Sequence, residues 1–350
     1  MKIIIAVLIF SMLVLFHEFG HFLMARACGV FVVEFSLGMG PRLLSHVSRK
    51  SGTRYSWKAF PFGGSCQMKG EDEADVSEGS FGSRNVWQRM LIVAAGPLFN
   101  FILAYVCALF LIGAIGYDAP TVLQVTEGFP AEEAGIEEGD SITRLGGTKI
   151  RIYRDITDYV TFHQSDFTAQ KKIEIEWTHD GEKKSAVIIP KMTDDRRYII
   201  GIAGSSLQRT KGGILQTAAY SAYEVKYWIG TTLQSLRMLF AGQVDPDEVS
   251  GPVGVVKVIG DTYEESRSDG AYYVWLNMLQ LCILLSASLG VMNLLPFPAL
   301  DGGRILFLLI EAVRRRKMNQ RVEAAVNFAG FVFLMMLMFL VLFNDTRKLM

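Results

Sequence analysis

Residues 17–21 read His-Glu-Phe-Gly-His. On an α-helix, positions four apart share a face, so His17 and His21 can turn both imidazoles toward one metal ion with Glu18 beside them. Zinc held by such a pair lowers the pKa of a bound water to about 7, and a neighbouring carboxylate can take its proton, which makes a nucleophile for amide hydrolysis. The chain has only five histidines, so the pattern is not a by-product of composition. It also falls inside an apolar stretch, where ionisable groups are costly and default to a functional role. Two His leave zinc one short of the three protein ligands of a catalytic site. The candidate third ligand is Asp301, in Asn293-Leu-Leu-Pro296-Phe-Pro298-Ala-Leu-Asp301-Gly302-Gly303. Pro296 and Pro298 break a helix there, and irregular backbone at membrane depth is tolerated only where it is buried or lines a cavity.

These residues need a scaffold, and the chain supplies long apolar runs. Four stretches are long enough to cross a bilayer: Ile3–Ala25, Met90–Tyr117, Ala271–Leu300 and Ala324–Phe343. The first has one Lys at its start and no small-residue cleavage site, so it is read as a span and not as a signal peptide. Loop 26–89 carries nine Lys/Arg against six Asp/Glu, and loop 302–323 carries six against two. Loop 118–270 carries 17 basic and 24 acidic residues. The bias puts the first and third loops in the cytoplasm, and the long loop and both termini outside. His17, His21 and Asp301 then fall at matching depth, toward the cytoplasmic ends of their spans. The run Arg314–Lys317 is read as an orientation signal; the sequence supports no nucleic-acid or lipid role for it.

Composition agrees with a membrane protein. Half the residues are hydrophobic, mean hydropathy is +0.27 and formal net charge is zero, so nothing favours nucleic acid as a partner. Cys28, Cys66, Cys107 and Cys282 form no CxxC pair and are read as packing residues. Gly38-x-Gly40 lacks the strand-to-helix context of a phosphate loop.

The two chemical motifs together resemble the site-2 protease family of intramembrane zinc metalloproteases, in its bacterial RseP/RasP type. The resemblance covers most of the chain. It includes residues 34–41 (Glu-Phe-Ser-Leu-Gly-Met-Gly-Pro), Pro61-Phe62-Gly63-Gly64, residues 95–100 (Ala-Gly-Pro-Leu-Phe-Asn) and residues 250–254 (Ser-Gly-Pro-Val-Gly). It implies His17, His21 and Asp301 as ligands of Zn2+, Glu18 as general base, and Asn293 near the scissile peptide. Gly96 and Asn100 match the family's GxxxN element, which adds Asn100 to the substrate-binding candidates. Gly96-Pro97 also reads as a kink or a close helix contact. The strand-prone segment 42–69, with turn signals at Ser51-Gly52 and Gly63-Gly64, is implied to form a small sheet dipping toward the site. Its edge could hold an unwound substrate by strand addition, with Gly63 and Gly64 in contact. Ser65 and Cys66 depart from the aromatic and aliphatic residues common after that Gly-Gly.

The expected fold is a multi-span α-helical membrane protein with four transmembrane helices, a membrane-dipping β-sheet and an inserted α+β PDZ domain. The expected divisions are 1–117, 118–206, 207–270 and 271–350: the first protease half, the PDZ domain, an amphipathic helical linker at the outer interface, and the second half. The PDZ reading rests on residues 128–142, which resemble its signature, in one copy where some family members carry two. Strands are expected at Val122–Val125, Lys172–Trp177 and Ser185–Pro190. His46, His163 and His179 are read as plain surface residues. Partners implied are single-span membrane protein substrates, such as anti-sigma factors or remnant signal peptides, extended chain ends at the PDZ groove, and membrane lipid. The implied location is the bacterial inner membrane. A catalytically silent PDZ scaffold with structural zinc is the alternative; the intact Glu18 argues against it, because holding zinc does not need that carboxylate.

Overall fold

The computed structural model describes residues 2–71, 75–168, 171–193, 197–204, 209–243 and 251–349; Ser250 of the 250–254 segment lies outside them. The chain forms two compact units, residues 1–107 with 235–350, and residues 108–234.

The first unit opens with α1 (Lys2–Ala27). Gly29, at φ 73, ends it, and the Val30 N–H returns to the Ala25 carbonyl to satisfy the last turn. Two long strands follow, β1 (Val32–Val47) and β2 (Arg54–Met68). Each bends part-way, so the pair builds a four-segment mixed sheet, with 34–37 parallel to 54–57 and the outer pairings antiparallel. Residues 34–37 pair with 54–57 on one side and with 64–67 on the other, while 44–47 pair with 54–57. Gly63, at φ 73, makes the bend in β2 that an L side chain would strain. The resulting edge segment runs beside α1, where Ser11 donates to the Pro61 carbonyl. Ser11 lies 16 residues before the end of α1, about 24 Å back along the axis at 1.5 Å per residue. The sheet therefore reaches well into the length of that helix.

Helix α2 (Val86–Ile115) begins in this unit. A Cβ on Gly20 would overlap the Ala95 carbonyl, so α1 and α2 meet backbone to backbone. Phe22, Ala25, Val32, Met68 and Ile92 join α1, the sheet and α2 in one apolar cluster.

The second unit contains β3 (Val122–Val125), α3 (Pro130–Glu133), β4 (Ser141–Leu145), β5 (Thr148–Lys149), α4 (Tyr153–Phe162) and α5 (Gln164–Thr168). It continues with β6 (Ile173–His179), β7 (Glu182–Ile188), β8 (Lys191–Met192), β9 (Tyr198–Ile199) and β10 (Ile202–Gly204). One sheet has the order β5-β4-β6-β7, all antiparallel, and β10 pairs with β3. Alternation builds its core: Ile173, Ile175 and Trp177 point in while Glu174 and Glu176 sit between them. His179 is more than a surface residue, because its Nδ1 lies 2.7 Å from the buried Asp140 carboxylate. Helix α6 (Ile214–Phe240) contributes the buried Glu224, which pairs with Arg154, itself paired with Asp118 at 3.0 Å. That use of Glu224 explains a charge that a lipid-facing helix would not carry.

The first unit resumes with α7 (Pro252–Asp269), α8 (Ala271–Leu294), α9 (Asp301–Arg314) and α10 (Gln320–Leu349). Asp345 of α10 accepts from the Gly251 and Gly254 N–H groups, both at 3.0 Å, and so caps the N-terminus of α7. Among the described residues, four helices are long and apolar enough to cross a membrane: Lys2–Ala27, Val86–Ile115, Ala271–Leu294 and Arg321–Arg347. The third is shorter than the expected Ala271–Leu300. Pro296 pushes Leu295 to ψ 137, out of helical space, and the chain restarts as α9 at Asp301.

Candidate metal centre

His17 and His21 sit two-thirds of the way along α1, on the face that meets α2. Gly96 is the contact point: a Cβ there would overlap His21 Nε2 and lie 2.8 Å from His17 Cε1. The close helix contact expected at Gly96-Pro97 is present. Asp301 arrives from the opposite direction, as the first residue of α9. Tight packing sets its position, since a Cβ on Gly302 or Gly303 would strike the carbonyls of Leu295 or Phe297.

Three atoms converge. His17 Nε2 lies 3.1 Å from His21 Nε2 and 3.1 Å from Asp301 Oδ2, and His21 Nε2 lies 3.5 Å from the same oxygen. A tetrahedral zinc with bonds of roughly 2.0–2.2 Å has ligand-to-ligand edges of about 3.3–3.6 Å. The observed triangle is close to that size. His21 Nδ1 is 2.9 Å from the Ile92 carbonyl. That acceptor requires the proton on Nδ1 and leaves the Nε2 lone pair facing inward. Asp301 Oδ2 is buried without a hydrogen-bond donor of proper geometry. Lone pairs directed at one another repel unless a cation lies among them, so the donor set fits Zn2+.

The other sequence candidates surround this triangle. Asn100, fully buried on α2, has its amide nitrogen 3.2 Å from His17 Nδ1, while its Oδ1 has no partner. Turning that amide over places Oδ1 as acceptor for an Nδ1–H, which would leave His17 Nε2 free to bind metal. Asn293, the penultimate residue of α8, also reaches His17 Nδ1, at 3.4 Å. Both asparagines therefore contact the imidazole. Glu18 Oε2 accepts from the Cys66 N–H at 2.8 Å, which ties the carboxylate to the outer edge of β2. A Cβ on Gly64 would lie 3.5 Å from Glu18 Cγ, and one on Gly63 would lie 3.6 Å from Val14, so the Gly63-Gly64 backbone runs beside this stretch of α1. Ser65, at the departure from the family pattern, bonds to Ser36 at 2.7 Å and receives Lys58 at 3.2 Å. Sequence reasoning missed the Ile92 carbonyl and the Cys66 N–H, because backbone groups leave no residue-type signal.

Comparison with known proteins places the chain in a family. A chain of Clostridium acetobutylicum is 33% identical over 345 residues, covering 98% of this chain and 97% of its own. The regulator of sigma-W protease RasP of Bacillus subtilis is 32% identical over 431 residues, covering 99% and 98%. This chain has 350 residues against those 431, so at least 81 positions of that alignment have no counterpart here. A crystal structure of the PDZ domain of an SdrC-like protein from Listeria monocytogenes overlaps 26% of this chain and 90% of that chain, at 22% identity and a TM-score of 0.22. The model of peptidase family M50 matches residues 5–337, nearly the whole length. The chain thus belongs to peptidase family M50, the site-2 proteases, and is a membrane-embedded zinc metalloprotease.

Proposed function

We propose that this protease hydrolyses peptide bonds within or beside the transmembrane segment of single-span membrane proteins, in regulated intramembrane proteolysis. One observation carries the reading: the three ligand-type atoms lie within a membrane-spanning bundle, next to the free edge of a sheet that runs along the same helix. In this reading His17, His21 and Asp301 hold zinc, which supplies Lewis acidity at the site. Glu18 is the general base; with Oε2 held by Cys66, Oε1 takes the proton from water and later returns it to the leaving amine. Asn100 and Asn293 orient His17, and Asn293 also faces the scissile peptide. A substrate helix hides its carbonyls in its own hydrogen bonds and must unwind before hydrolysis. The edge at Gly63 and Gly64 offers the unwound strand a partner.

The acidic segment 118–206 is read as an extracytoplasmic PDZ domain that receives extended chain ends, with both termini on that side. Anti-sigma factors and remnant signal peptides are candidate substrates; the relative in Bacillus subtilis carries the name regulator of sigma-W protease.

The test is the position of the cut. Purified enzyme reconstituted with a single-span substrate should release fragments whose new termini, mapped by mass spectrometry, fall inside the span or within a few residues of it. Cuts confined to the soluble flanks would reject intramembrane cleavage while leaving the protease assignment intact.

A further inference from the structure

We propose that the cleft between the start of α2 and the end of α9 binds the phosphate of an anionic phospholipid headgroup. The cleft is open, with a volume of about 320 Å³, and Arg84, Arg89, Arg315, Arg316 and Lys317 line it with one carboxylate, Glu311. That carboxylate is already engaged by Arg89, which grips both of its oxygens. The lining therefore keeps a strong positive excess. Arg315 closes α9 at φ 53, in the left-handed region. The chain turns there instead of continuing the helix, and this turn carries Arg315, Arg316 and Lys317 to the cleft wall.

The guanidinium groups beside the cleft are also short of acceptors. Arg89 is only 8% exposed, yet its Nε is buried and has no hydrogen-bond partner. Arg84 Nε is in the same condition, although another of its nitrogens donates to the Gly29 carbonyl. Buried donors without acceptors are costly and native structures rarely leave them so. A phosphate supplies several acceptor oxygens and negative charge at once, and guanidinium groups match it in geometry.

The surroundings select a lipid as the source of that phosphate. Trp87, in the first turn of a spanning helix, is 65% exposed, and Val313 is 83% exposed. Exposed apolar groups flanking a basic cleft at the end of a span mark the headgroup level, where aromatic residues anchor and cations collect anionic lipid. The occupant would bridge two helices that matter to the metal centre. Helix α2 brings Gly96 and Asn100 against the histidines, and α9 begins at Asp301.

The experiment is a lipid titration of the full-length protein in neutral detergent, read by native mass spectrometry. Phosphatidylglycerol should be retained in preference to phosphatidylcholine, with one tight site. The triple variant R315Q/R316Q/K317Q changes only exposed side chains and should weaken that retention about a hundredfold, with zinc content unchanged. The single variant R84Q leaves the 314–317 run intact and should also weaken retention, which separates a lost site from a mis-inserted protein. Equal retention of the two lipids, or wild-type retention by both variants, overturns the proposal. So does displacement of phosphatidylglycerol by an equal concentration of inorganic phosphate, since free phosphate would then be the ligand.

Discussion

His17 shows what a single side chain demands of its surroundings. To offer Nε2 to a metal it must keep its proton on Nδ1, and that proton needs an acceptor. Asn100 is placed to be that acceptor. Asn100→Ala should therefore weaken zinc binding by about 10- to 100-fold, and Asn100→Asp should restore it, because the carboxylate keeps the acceptor. Zinc content against chelator concentration measures both; equal loss in the two variants would mean that Asn100 matters only for packing. Gly96→Ala tests the same spot by volume. Its methyl would intrude on both imidazoles, so zinc content and activity should fall together while helicity persists. The three residues that converge were legible as candidates in the sequence, from their types and spacing. The triangle's supports were not: an Ile92 carbonyl and a Cys66 N–H belong to the backbone, and only the folded chain shows which ones face inward.

At the scale of elements, strand content was legible where alternation is clean. Val122–Val125 forms as expected, and Ile173–His179 begins one residue after the expected Lys172–Trp177 and ends two residues beyond it. The bent sheet of β1 and β2 was less so, because its shape depends on positive φ at Gly38, Gly40 and Gly63 and not on a periodic pattern. Its polar interior makes a prediction. Glu34 is buried and accepts from the Arg42 guanidinium at 2.7 Å. That partner, with help from Ser56 and Lys58, holds the carboxyl down to about 2 from an ordinary 4.5. A depressed carboxylate stabilises the fold above its unfolded pKa and loses that contribution as pH falls through the folded value. The sheet should thus be fully supported above about pH 5 and loosen progressively toward pH 2. Hydrogen exchange at residues 42–58 should show this loss of protection on acidification, and Glu34→Gln should abolish most of the difference. A wild-type acid response in the variant would place the sensitive group elsewhere.

For the whole molecule, hydropathy and loop charge were enough to locate four spans to within a few residues at most ends, the exception being the stop at Leu294. The proposed orientation rests on charge alone and is directly testable. Cysteines placed at Lys50 and Lys317 should label only from the cytoplasmic side, and one at Lys183 only from outside. Labelling of Lys50Cys from outside would invert the topology.

The central claim is that Glu18 does the chemistry at a zinc held by other residues. Glu18→Gln removes the base and leaves His17, His21 and Asp301 untouched. The purified variant should bind one zinc per chain, as the wild type does, and cleave a single-span substrate at least about a thousandfold more slowly. Cleavage near the wild-type rate by the zinc-replete variant would contradict the account.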